Sequence, residues 1–69
     1  MSTGKYTIVA RDSYNIPYYY MVLAYTEETA REMFDEANTG KIIEYCYPML
    51  NDVTYSTVKQ ITPDVFEVR

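Results

Sequence analysis

The stretch from Thr26 to Gly40, TEETAREMFDEANTG, carries a helical period and constrains everything else in this 69-residue chain. Ala30, Met33, Phe34 and Ala37 recur at i, i+3, i+4 and i+7, which sets them in one apolar stripe. Thr26 can act as the N-cap, its hydroxyl accepting from a free N–H of the first turn. Glu27 and Glu28 fall in that turn, where the helix dipole favours negative charge. Gly40 offers a left-handed stop. The pattern predicts a helix from about Glu27 to Asn38. The rest of the chain reads as strand and turn, so this single helix must supply the whole second layer of the fold.

The flanking segments read as strands. KYTIVAR, residues 5–11, alternates with Tyr6, Ile8 and Ala10 on one face and Thr7, Val9 and Arg11 on the other. DSYN, residues 12–15, supplies turn formers, and Pro17 opens a second strand running to about Ala24. Two strands joined by a short turn predict an antiparallel hairpin. After the helix, KIIEYCY at 41–47 is a third strand ended by Pro48, and MLND at 49–52 is a turn candidate. VTYSTVKQI at 53–61 is β-branched and alternating, hence a fourth strand. TPD breaks it at 62–64, and VFEVR at 65–69 is a short last strand or an ordered tail.

The expected fold class is therefore α+β: a single, mostly antiparallel sheet of four to five strands with one helix packed on one face, in the order β-β-α-β-β. Residues 1–69 form one domain. The expected core draws on Ile8, Met21, Leu23 and Tyr45 from the strands and on Ala30, Met33, Phe34 and Ala37 from the helix. Ile43 and Phe66 complete it. The pattern leaves strand order open.

The second strand, PYYYMVLA, barely alternates. With Tyr19, Met21 and Leu23 turned to the helix, Tyr18, Tyr20 and Val22 face away, beside Val9, Arg11, Ile42, Glu44 and Cys46. Such a face is too apolar to be merely wet. Tyrosine has high β-propensity, so the run is first of all a good strand former. It is also suited to a contact surface, with large area and a polar tip. Tyr18 and Tyr20 are thus candidate partner-binding residues, for a homodimer through the sheet face or for a second protein. A platform stacking single-stranded nucleic acid, with Arg11 beside Tyr18 and Tyr20, is the alternative. Nucleic acid ranks below protein because the chain carries excess acid.

Composition narrows the chemistry. The chain has no histidine, which removes the commonest general acid/base and transition-metal ligand. No zinc spacing, glycine-rich phosphate loop or calcium loop is present, so no catalytic residue, metal ligand or cofactor is expected. The one cysteine, Cys46, reads as a small buried hydrophobe in a strand. One cysteine cannot form an intrachain bridge, and no signal peptide or membrane span is visible, so a cytoplasmic, non-membrane protein is expected.

The net charge of −4 is carried by the helix segment, where Glu27, Glu28, Glu32, Asp35 and Glu36 stand against Arg31 alone. Elsewhere acids and bases balance. A charged stripe is ordinarily the solvated side of an amphipathic helix. Concentration of the whole net charge there makes Glu28, Glu32, Asp35 and Glu36 candidates for docking on a basic protein surface, with a gain in association rate.

The hairpin followed by AYTEETAREMFDEANTGKIIEYC resembles small phage-encoded ββαβ host-takeover proteins, a class that includes the phage T7 inhibitor of bacterial RNA polymerase. The likeness covers residues 5–47 and lies in element order and the A-x-T-x-x-x-A helix start. The chain then adds VTYSTVKQI and a tail, and its strands are richer in tyrosine. The resemblance implies a non-enzymatic inhibitor of a host protein, such as a polymerase, a restriction enzyme or a CRISPR-type defence. It assigns no individual residue a role.

Overall fold

The computed structural model describes residues 4–49 and 54–69. Strands β1 (Gly4–Arg11) and β2 (Pro17–Ala24) form the expected hairpin. Its turn is built by Asp12, whose Oδ1 accepts from the backbone N–H of Tyr14 at 2.8 Å and of Ile16 at 3.0 Å. Asn15 takes the left-handed conformation at φ 65°, which an Asn tolerates well.

Helix α1 (Glu27–Glu36) follows, capped by Thr26, whose hydroxyl accepts from the Thr29 N–H at 3.1 Å. The helix stops two residues short of the predicted end. Asn38 adopts φ 53° and makes the left-handed turn before Gly40, which is also left-handed at φ 75°. Then come β3 (Ile42–Pro48), β4 (Val58–Thr62) and β5 (Val65–Val68). Most of the turn expected at 49–52, and residue 53 of the fourth strand, lie outside the described residues. The fourth strand itself is shorter than predicted, starting at Val58.

The strands form one antiparallel sheet in the order β3-β1-β2-β5-β4, with α1 on one face. The α+β architecture is the one the patterning predicts, with the tail resolved as a fifth strand. The central ladders β1–β2 and β2–β5 pair without interruption. Each edge strand carries one extra residue: the β1–β3 register slips at Glu44, and the β4–β5 register slips at Ile61.

The core corrects the expected facing of β2. Tyr20, Val22 and Ala24 are buried against the helix together with Ile8, Ala10, Ala30, Phe34 and Val65. Tyr18 and Met33 pack partly against them. Met21, Leu23 and Phe66, expected inside, are half-buried and stand outside this cluster. The cause is register. Ile8 lies opposite Tyr20, and Tyr6 opposite Val22, and directly opposed residues of an antiparallel pair share a face. Ala10, Ala24 and Ala30 are small, which leaves room in the core for the Tyr20 and Phe34 rings.

The Glu44 bulge corrects β3 in the same way. Ile43 pairs with Ala10 and Cys46 with Ile8, so both point towards the helix although three residues apart. Cys46, expected on the outer face, is buried, and burial pushes its thiol pKa up. Tyr45, expected in the core, is turned out and 58% exposed.

Candidate interaction surface

The sheet face opposite the helix is built from the alternate residues of each strand. The strand registers set its side chains in rows. Tyr45, Val9, Tyr19, Val68 and Val58 stand side by side across all five strands. The next row is Tyr47, Thr7, Met21, Phe66 and Gln60, and Leu23 lies beyond it opposite Lys5. An antiparallel sheet solvated on one face normally alternates apolar with polar residues. Here both faces are apolar.

Exposure within the rows is uneven. Val9, Val68 and Thr7 are buried, so part of this face is covered. Tyr19, Tyr45 and Tyr47 are 50%, 58% and 48% exposed, and Val58 is comparably open. Three half-covered rings make an amphipathic surface of the kind enriched in protein interfaces.

Polar groups sit at the rim. Lys5 and Arg11, at the two ends of β1, are the charged residues whose alternation places them on this side. Arg11 donates from Nε to a carboxylate oxygen of Glu44, the bulge residue of β3, and from a terminal nitrogen to the Asn15 carbonyl at 2.8 Å. Beside them Arg11, Asp12, Asn15 and Ile42 line an open cleft of about 320 Å³.

The tyrosines singled out from sequence occupy the other side of the sheet. Tyr20 is 1% exposed and meets Phe34 edge to face, with centroids 4.9 Å apart. Burial raises its phenol pKa, opposed by Lys41. Tyr18 is half-buried, and the Lys41 ammonium lies 4.4 Å above its ring centroid, a cation–π contact that closes one end of the core. Tyr20 therefore cannot reach a partner from the folded monomer. The exposed tyrosines of the opposite face are Tyr19, Tyr45 and Tyr47.

The acidic residues do lie where the helical period puts them. Glu28, Glu32, Asp35 and Glu36 are all exposed. Arg31 pairs with Glu27 at 3.7 Å, and among the described residues the other four carboxylates of the helix have no ion pair. Asp35 and Glu36 occupy the last turn, where no basic residue balances them. The sheet thus separates an acidic helix layer from a face that carries exposed tyrosines.

No family model matches this chain, and no curated protein or solved structure matches it significantly. Among the described residues no group of three or more metal-ligating side chains is assembled, and no helix is long and apolar enough to cross a membrane.

Proposed function

We propose that this protein acts by binding another protein, as a small non-enzymatic module, and that it is a phage or mobile-element inhibitor of a host protein. The observation that carries the binding reading is the exposure of Tyr19, Tyr45, Tyr47 and Val58 together on the sheet face away from the helix. The acidic helix supports the inhibitor reading. Asp35 and Glu36 sit at a helix end where the dipole disfavours anions, so helix stability does not account for them. A rigid row of Glu28, Glu32, Asp35 and Glu36 suits a basic host surface, such as the nucleic-acid groove of a polymerase, a restriction enzyme or a CRISPR-type effector. The host cytoplasm is the site of action under this reading.

The test is capture of partners from bacterial lysate by the tagged chain, with mass spectrometry of what is retained. A retained protein should be released by salt and lost from a Glu32→Lys, Asp35→Lys double variant. Retention that ignores charge reversal removes the helix from the reading. Retention of nothing above background removes the inhibitor reading.

A second reading is single-stranded nucleic-acid binding, favoured by exposed Tyr19, Tyr45 and Tyr47 on the face away from the acidic helix. Fluorescence titration with short oligonucleotides tests it. Micromolar affinity lost on Tyr45→Ala supports it, and absence of binding at low salt discards it.

A further inference from the structure

We propose that one end of the molecule, formed by the β1–β2 turn, the start of β3 and the C-terminus of the helix, docks a basic protein segment and takes one of its apolar side chains into the cleft there. The inference rests on the protein-binding reading above and gives it a second contact, apart from the rows of tyrosines.

Topology brings the three parts together. β1 ends at Arg11 opposite Pro17, the first residue of β2, and Ile42, the first residue of β3, pairs with Arg11 from the other side. Helix α1 starts beyond the far end of β2 and runs back along it. Phe34, near the helix C-terminus, meets Tyr20, and Lys41 just after the helix reaches Tyr18, the second residue of β2. Asp35 and Glu36 therefore stand at the same end as the turn.

This end is exposed in the folded chain. Tyr14 and Ile42 are 83% and 80% exposed, the highest values among the large apolar side chains described, and Ile16 is 50% exposed. The chain leaves β3 at Pro48, opposite Tyr6 and at the other end of the strand.

Folding does not account for these residues. The turn is held by Asp12 Oδ1, which accepts from the backbone N–H groups of positions 14 and 16, and most residue types supply those groups. Polar side chains would serve such a turn as well as Tyr14 and Ile16. Asp35 and Glu36 oppose the helix dipole in a last turn that has no basic residue. Two features that stability leaves unexplained meet at one end.

The cleft gives the contact its centre. It measures about 320 Å³, with Asp12 and Asn15 on the turn side and Ile42 and Ile43 on the β3 side. Ligand pockets span roughly 300–1,000 Å³, so this one suits a single side chain better than a cofactor. Arg11 joins its two sides, bonding to Glu44 of β3 and to the Asn15 carbonyl of the turn. The cleft is thus held open before anything binds.

Charge selects the occupant. At this end Arg11 and Lys41 stand against Asp12, Glu44, Asp35 and Glu36, two bases against four acids, a net of −2. That excess repels nucleic-acid phosphates and anionic lipid and attracts lysine and arginine. The segment that fits carries an aliphatic or aromatic residue flanked by basic ones.

The experiment is a titration of the ¹⁵N-labelled chain, followed by amide chemical shifts, with three capped pentapeptides. One has a central leucine flanked on each side by lysine and arginine, one has serine at the centre, and one has leucine flanked by glutamates. Peptide runs to about 5 mM, which covers millimolar dissociation constants. The basic leucine peptide should shift the amides of Asp12, Tyr14, Ile42 and Glu44. The serine peptide should bind at least about fivefold more weakly, and the acidic peptide should not bind. Tyr14→Ser and Ile42→Ser should each weaken the leucine peptide at least about fivefold with an unchanged circular dichroism spectrum. The Asp35→Lys, Glu36→Lys double variant should weaken it as well. Absence of shifts with the leucine peptide overturns the proposal. So does equal binding of the serine or the acidic peptide, and so does affinity that survives both Tyr14→Ser and Ile42→Ser. Lysate capture separates this contact from the reading it rests on. A host protein retained equally by wild type, Tyr14→Ser and Ile42→Ser overturns the docking end and leaves the protein-binding reading standing. Peptide binding as described, with nothing retained from lysate, supports the docking end and removes the inhibitor reading alone.

Discussion

The rings of Tyr20 and Phe34 meet edge to face, 4.9 Å between centroids and 71° between planes, and join the middle strand of the sheet to the helix. Both side chains are essentially inaccessible to water. Truncating either to alanine should cost about 3–5 kcal/mol, a large part of the stability of a chain this small. A double-mutant cycle by urea denaturation should return a coupling of about 0.5–1.5 kcal/mol beyond burial. A coupling near zero would mean that the two rings contribute only as separate hydrophobes.

Tyr20 should also make the fold sensitive to alkali. Burial holds its phenol protonated above the ordinary value. Below the unfolded-chain value, near pH 10, its contribution is fully present. As pH rises further the unfolded chain ionises first, and stability is lost until the folded value is passed. Urea midpoints measured from pH 8 to 11.5 (about the working range for such titrations) should fall more steeply for wild type than for Tyr20→Phe.

At the acid end the turn residue Asp12 is the group to watch. Backbone N–H donation, first from Ile16 and also from Tyr14, holds its carboxyl below the usual range. Its contribution is present above the unfolded value and disappears as pH falls through the lower folded value. Asp12→Asn keeps an acceptor oxygen for both N–H groups and should flatten the acid limb of the stability curve. Asp12→Ala should lower stability at neutral pH as well, read from the thermal midpoint.

The N-cap gives a sharper local test. Thr26→Ala removes the acceptor for the Thr29 N–H and should cost about 0.5–2 kcal/mol, with Thr26→Ser close to neutral.

At the other end of the helix, stability and binding should part. Asp35→Lys relieves an unfavourable dipole interaction and should stabilise by about 0.3–1 kcal/mol. The same change should weaken capture of the partner. A variant more stable in urea and poorer in pull-down is the expected combination; loss of both properties together would show that Asp35 serves the fold.

Element order, the hairpin, the cap and the acidic face follow from residue pattern, because each depends on local spacing. The facing of β2 was recoverable too. With β1 ending at Arg11 and β2 opening at Pro17, opposed positions place Ile8 across from Tyr20, so a buried Ile8 requires a buried Tyr20. Hydropathy alone misleads there, since Met21 and Leu23 are as apolar as the residues that go inside. Nothing in KIIEYCY announces the bulge at Glu44, which turns Cys46 in and Tyr45 out. That single extra residue responds to the tertiary match between β3 and β1, and with it Tyr45 and Tyr47 come to the face opposite the helix.

The placement of the β4–β5 hairpin bears on how the molecule opens. Helix α1 packs chiefly on β2 and β3, whereas the hairpin joins the sheet through the β2–β5 ladder. It can therefore detach as a unit while the Tyr20–Phe34 contact holds, and its amides should exchange with solvent before those of β1 and β2. Val58, Phe66 and Val68 leave with it, and the outer face loses two of its five strands. Occupancy of that face and closure of the hairpin are thermodynamically linked: whatever covers the tyrosines also slows exchange in β4 and β5, and loosening the hairpin weakens binding without unfolding the core.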